Sequence, residues 1–227
     1  LMASASNVII MGHKFPDYDA FGASVGLARL AMFCGVKVNV VTDPKNPNIK
    51  KCLKFFDGDE YKGVFVDAAR GLDLIKSETL LVIADVNNPA MFESIDIYNN
   101  VYNVAIVDHH RKTAESERNL AIEYIEPASS SASELVSEML ESTVSSQNLL
   151  KQEADILLAG ILLDTKQFTR NTGTRTFGAA QYLPGAGGAF AHKAEVNVTT
   201  GEQDSPVFIS IASLGAKAGQ YKADASD

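Results

Sequence analysis

Four short stretches concentrate the residues with which this chain could do metal or acid-base chemistry. They are His13, Asp17 and Asp19 in HKFPDYD, then Asp85, then Asp108, His109 and His110 in sequence, and finally Asp164. Imidazole nitrogen and hard carboxylate oxygen together form a donor set suited to Mn²⁺, Fe²⁺, Co²⁺ or Zn²⁺. Several carboxylates gathered without cations would repel one another and raise each other's pKa values, a cost that two divalent ions offset. Taken singly, His13 or Asp85 reads better as a cap, a turn or a surface group. Taken together, three of the four stretches follow short apolar runs and two carry His, which points to a shared site.

The elements that must position these residues can be read from periodicity. Asn7 to Met11 reads as a buried strand, and Pro16 with the acidic residues beside it argues for a loop over GHKFPDYD. Phe21, Val25, Ala28 and Met32 recur at helical spacing until Gly35 ends the run. Residues 36–41 and, less distinctly, 63–66 read as strands. Thr79–Ala84 and 102–107 are short apolar runs that each stop at Asp. Two helical stripes follow. Ala132, Leu135, Val136, Met139 and Leu140 come after the serines at 129–131, any of which could cap them. Leu150, Ala154, Leu157, Leu158, Ile161 and Leu162 form the second stripe, ending near Asp164. Strands alternating with helices predict an α/β fold, a mostly parallel sheet flanked by helices, with ligands gathered at the carboxyl ends of the strands. The first domain is expected over residues 1–183. Residues 184–227 turn Gly/Ala-rich and poorly periodic, reading as a linker with a small or incomplete α/β lobe.

Further residues have two readings each. Gly12, Gly22 and Gly26 depart from the G-x-G-x-x-G spacing and read better as turn or helix-packing glycines than as phosphate contacts. Asn87 and Asn88, before Pro89, suit a turn or cap, or the orientation of a neighbouring ligand. Arg111, Lys112, Lys166, Arg170 and Arg175 lie just beyond the acidic clusters, solvated or meeting substrate phosphates. Arg170 and Arg175, flanking Asn171–Thr174, are the preferred substrate contacts. The aromatics Phe15, Tyr18, Phe21 and Phe168 cluster nearby in sequence; Phe21 suits core packing, while Tyr18 could stack on a base or cover the mouth of the site.

The 227 residues and 24.4 kDa suffice for one substantial core, and 46% hydrophobic with 21% charged residues excludes wholesale disorder. A net charge of -8 and a pI near 5.0 argue against a long nucleic-acid partner but not against a nucleotide held through cations. Cys34 and Cys52 form no short metal-binding pair and fit free thiols in a reducing compartment. No apolar run reaches the roughly 20 residues that span a bilayer, and no basic segment precedes the first apolar stretch. The expectation is therefore a cytoplasmic fragment without membrane contact of its own. A homodimer is compatible with the sequence.

Four motifs in order, GHKFPDYDAFGAS at 12–24, IADVN at 83–87, VDHHRK at 107–112 and GILLDTKQFT at 160–169, resemble the DHH phosphoesterase superfamily. With RNTGTRTFGAAQYL at 170–183, they look most like the catalytic part of the membrane-anchored cyclic-di-AMP phosphodiesterases of Gram-positive bacteria, which implies a parent protein anchored to the cell membrane. The resemblance implies two Mn²⁺ ions, one held by His13, Asp17 and Asp85, the other by Asp19, Asp85, His109 and Asp164, with Asp85 bridging. It implies that His110 faces the phosphate, that Asp108 supports the imidazoles and that Arg111 assists. The implied reaction is hydrolysis of cyclic-di-AMP to linear pApA by a hydroxide activated between the two metals. Cleavage of short linear dinucleotides, or an inactive cyclic-dinucleotide sensor, are the alternatives. Such proteins carry a smaller substrate-binding lobe, DHHA1, marked by GGGH. Here GAGGAF followed by Ala191 and His192 is a loose partial match, and DSPVFISIA and SLG resemble pieces of that lobe without its intervening length.

Overall fold

The computed structural model describes residues 1–112, 118–145, 148–186, 195–198 and 207–210. In chain order the elements are β1 (Asn7–Met11), α1 (Tyr18–Phe33), β2 (Val38–Val41), α2 (Lys50–Leu53), β3 (Phe65–Val66), α3 (Ala68–Asp73), β4 (Thr79–Ala84) and α4 (Ile95–Asn100). They continue with β5 (Asn103–Asp108), β6 (Ile122–Ile125), α5 (Ala132–Thr143), α6 (Lys151–Asp164), α7 (Thr174–Ala186), β7 (Glu195–Val198) and β8 (Val207–Ser210).

β1 to β6 form one parallel sheet in the order β3-β2-β1-β4-β5-β6. The central strands are near-continuous apolar runs because both faces are covered, as parallel sheets require. Alternate residues divide between two cores. Val8, Ile10, Val40, Leu80, Val82 and Val107 pack under α1, α5 and α6. Ile9, Met11, Leu81, Ile83, Val104 and Ile106 pack with Ile97 and Tyr98 of α4 and the flank of α3. The chain runs outward from β1 to β3, then returns to place β4 on the other side of β1. The carboxyl ends of β1 and β4 therefore flank a topological switch point, where an open α/β sheet leaves a crevice.

α1 lies between the sheet and the pair α5 and α6, so it is apolar or small on nearly every side. Gly22 and Gly26 make this approach possible. A Cβ at 22 would stand 2.7 Å from the Ile156 carbonyl oxygen, and one at 26 would stand 2.5 Å from Val136 Cγ1. Both are helix-packing glycines, not a phosphate loop. At the far end Gly35 adopts φ 73° while its amide and that of Val36 bond back to Met32 and Ala31, closing the helix. Across the helix layer, Arg29 of α1 is buried against Glu153 of α6, which also accepts from the Tyr61 hydroxyl.

Several boundaries differ from the sequence expectation. α1 begins at Tyr18, inside the segment expected to be loop, because Asp17 caps it. The strand expected at 36–41 spans only Val38–Val41, and that at 63–66 only Phe65–Val66. β6, α3 and α4 carry little periodicity: β6 is a half-exposed edge strand and the two helices are six residues each. α7 spans Thr174–Ala186. In the C-terminal region β7 and β8 form an antiparallel pair, with β8 inside the run expected to be strand-like. The GGAF stretch, His192 and SLG lie outside the described residues. Among the described residues no helix is long and apolar enough to cross a membrane.

Candidate metal centre

The chain leaves β1 through Gly12 and reaches His13, which bridges to Phe92 in the segment after β4. Asp17 then caps α1, its Oδ1 accepting the amides of Asp19 at 2.9 Å and Ala20 at 3.0 Å. Capping places Asp19 in the first helical turn, fully buried, with its carboxylate facing the start of α5. There it accepts the amides of Ala132 at 2.7 Å and Ser133 at 2.8 Å. A carboxylate at a helix N-terminus meets unpaired amides and the positive end of the helix dipole. The serine run supports this contact. Ser131 caps α5 through the Glu134 amide, and buried Glu134 accepts the Ser129 and Ser130 hydroxyls. The backbone donors at 132 and 133 were not identified from sequence, where the serines signalled only a helix start.

Asp85 follows β4 directly and adopts φ 61°, a left-handed conformation that Asp tolerates better than most residues but that still strains the backbone. Its carboxylate stands in the middle of the cluster. Oδ2 is 3.7 Å from His13 Nε2, whereas Oδ1 is 3.3 Å from His109 Nε2 and 3.6 Å from His110 Nδ1. His109 Nε2 also lies 3.1 Å from Asp164 Oδ2 and 3.7 Å from Asp19 Oδ2. Three groups could each hold an ion, their ligand atoms within 4.8 Å of one another: His13, Asp17 and Asp85; Asp19, His109 and Asp164; Asp85, His109 and His110. All six expected ligands therefore come together, and Asp85 belongs to two groups.

The donors fit divalent cations on evidence internal to the site. Asp85 Oδ1 and His109 Nε2 are buried, close together, and without a hydrogen-bond partner. Burying an ionisable group without partners is costly, and buried charges are as a rule paired or coordinate metals. The electrostatics agree. Burial raises the Asp17 and Asp19 carboxyls, and the Asp85 charge raises both further. Burial works against the Asp85 carboxylate too, but His109 and His13 overcome it and hold this group below its usual range. Burial alone would lower the His109 imidazolium, yet the carboxylates of Asp164, Asp85 and Asp19 push it up to about 11. Without a cation, His109 thus supplies the positive charge that the carboxylates demand.

Beside the cluster, fully buried Asp108 places Oδ1 2.9 Å from His110 Nδ1 and 3.1 Å from the His110 amide. Asn87 donates to Asp108 Oδ2 at 2.6 Å, so it orients a neighbour of the site rather than a turn of its own. Asp108 raises the His110 imidazolium, and the His110 side chain is 58% exposed, open to an incoming substrate.

The expected substrate contacts are placed unevenly. Arg170 and Arg111 are exposed and make no side-chain hydrogen bond or ion pair among the described residues. Arg175 is held by Glu138 in two bonds of 2.7 and 2.6 Å, and Lys112 pairs with Glu123 at 2.8 Å. Tyr18 is half-buried against the larger core beside Cys52, its hydroxyl pushed up to about 12 by burial first and the thiol second.

A 3-2-1-4-5-6 parallel sheet with imidazoles and carboxylates converging at its switch point defines an α/β protein built around a metal-binding cleft. The chain belongs to the DHH family: the model for the DHH family, N-terminal domain, matches residues 7–161. It is 36% identical over 190 residues to the cyclic-di-AMP phosphodiesterase GdpP of Bacillus subtilis and 36% over 192 residues to the cyclic-di-AMP phosphodiesterase PdeA of Listeria monocytogenes. Each match covers 82% of this chain, and the chain spans 29% of the length of each relative. The fold is similar to that of an exopolyphosphatase-related protein from Bacteroides fragilis, with a TM-score of 0.65 and 24% identity over 82% of this chain and 54% of that one.

Proposed function

We propose that this chain is the catalytic part of a manganese-dependent phosphodiesterase that hydrolyses one phosphodiester of cyclic-di-AMP to give linear pApA. The observation that carries the reading is the position of Asp85, one carboxylate oxygen toward His13 and the other toward His109. The relatives described as cyclic-di-AMP phosphodiesterases, similar over 82% of the chain, support the choice of substrate. His13, Asp17 and Asp85 would hold one ion, and Asp19, Asp85, His109 and Asp164 the other. When bound, such a pair of divalent ions activates water and offsets charge gathering on a phosphoryl group.

The protein's own residues account for the rest of the mechanism. Asp108, fixed by Asn87, orients His110, whose exposed ring meets the phosphate and gives a proton to the departing sugar oxygen. Arg111 and Arg170, unpaired among the described residues, meet non-bridging phosphate oxygens. Arg175 joins them only by leaving Glu138, and Tyr18 by turning from Cys52, so both rank below Arg170 as substrate contacts. Residues 184–227 would begin the substrate-binding lobe.

The test is a substrate panel in saturating Mn²⁺ with product identification. Linear pApA formed from cyclic-di-AMP is expected. Rapid cleavage of pApA to AMP with the cyclic dinucleotide untouched would move the assignment to a hydrolase of short linear nucleotides. Stoichiometric binding of the cyclic dinucleotide without product would make the chain a sensor.

A further inference from the structure

A small cavity lies beside His13. Gly12, His13, Pro16, Ser24, Thr42 and Glu93 line it together with apolar neighbours, and its volume is about 10 Å³. That is the lower limit of what a single water occupies, and such a water needs two to four polar partners. Two side-chain oxygens of the lining lack a hydrogen bond. Thr42 is 4% exposed, and its Oγ1 and the Oε2 of Glu93 are buried without a hydrogen bond. The backbone holds them in place: the Glu93 amide bonds the Gly12 carbonyl at 2.9 Å, the Lys14 amide bonds the Met91 carbonyl at 2.9 Å, and Thr42 follows β2 directly. Burial and the nearby Asp43 charge raise the Glu93 carboxyl, while a hydrogen bond from the Asp43 backbone and the His13 imidazole oppose the rise.

His13 turns Nε2 toward Asp85, and its other ring nitrogen has no hydrogen-bond partner among the described residues. A metal-binding imidazole normally donates its second N–H to a carboxylate, a carbonyl or a water, which fixes the tautomer and ring orientation. We propose that Glu93 and Thr42 are positioning residues for His13, acting through one water in this cavity that accepts from His13 Nδ1 and bonds Glu93 Oε2 and Thr42 Oγ1. The inference rests on the metal reading given above, and it assigns a role to residues that lie outside the cluster of ligands.

The test titrates the full chain with Mn²⁺ alone by calorimetry. Glu93→Gln is expected to weaken one of two ions by about 10- to 100-fold, the range for groups that orient a metal-binding histidine. Thr42→Val should weaken the same ion, and Thr42→Ser should restore it. His13→Ala serves as the control and should lose that ion. A folded Glu93→Gln protein with wild-type affinity for both ions, beside a His13→Ala protein that loses one, overturns this inference and leaves the metal reading intact. A wild-type chain that binds no Mn²⁺ overturns both. Long-range ¹H–¹⁵N spectra of the wild-type chain loaded with diamagnetic Zn²⁺ need no variant. They should find His13 protonated at Nδ1 with slow solvent exchange, and a proton on Nε2, or rapid exchange at Nδ1, overturns the proposal.

Discussion

Gly160 stands directly against Asp19: a Cβ at position 160 would fall 2.8 Å from the Asp19 Cα and 2.9 Å from its Oδ1. A helix-interior glycine on α6 thus sets how closely the base of the metal cluster can pack. Gly160→Ala is expected to destabilise the chain by about 1–3 kcal/mol through overpacking and also to weaken Mn²⁺ binding. Gly22→Ala, crowding the Ile156 carbonyl at 2.7 Å, should cost similar stability with a smaller effect on the metal. Denaturant unfolding together with metal titration separates the two. Equal Mn²⁺ affinities for both variants would disprove the coupling of Gly160 to the site.

Asp85 faces both sides of the cluster, so neutralising it should disturb two ions rather than one. Asp85→Asn keeps a residue that tolerates φ 61°. The chain should remain folded, bind at most one Mn²⁺ and lose at least about 100-fold in turnover. Elemental analysis after desalting gives the count, and two retained ions would reject the bridging role.

The 2.9 Å contact between Asp108 and His110 makes a separate prediction. Asp108→Asn should lower kcat by roughly 10²- to 10⁴-fold, the range of general acid-base catalysis, while Mn²⁺ affinity changes little. A large loss of metal with kcat per bound metal unchanged would assign Asp108 to the metal centre instead.

As a metal ligand, His109 would link metal binding to pH. Its pKa rises from 6.5 to about 11 in the metal-free fold, so at neutral pH a metal ion must displace its proton. Apparent Mn²⁺ affinity should therefore climb between pH 6 and 8, by as much as about tenfold per unit for one displaced proton. Calorimetry in buffers of different ionisation enthalpy counts that proton. The sign for the metal-free fold is the reverse. A group whose folded pKa is raised contributes its full stability below pH 6.5, and the contribution fades as pH rises through about 11. His109→Gln should flatten both dependences, and a wild-type affinity independent of pH would show that the proton is absent.

The residues that gather at the site were legible because most belong to a local pattern. Asp85 and Asp108 end apolar runs, His109 and His110 adjoin the second, and Asp164 closes a helical stripe. Strand-ending polar residues in an α/β pattern point to one edge of the sheet, so distance along the chain was no obstacle. α1 was foreseen as a helix but not its first turn, since a segment rich in Asp with a proline reads as loop until Asp17 is recognised as a cap.

Sequence by itself therefore determined the central strands, the long helices α1, α5 and α6, and which side chains end up at the carboxyl edge, because periodicity, caps and strand ends act over a few residues. Only the tertiary structure decided who meets whom. The amides of Ala132 and Ser133 hold Asp19 across more than a hundred residues, Asp85 is turned by a left-handed backbone to face two groups, and Arg175 is drawn to Glu138. These choices follow from packing: how closely glycines let α1 and α6 approach, and which buried donors and acceptors are left for each other once water is gone.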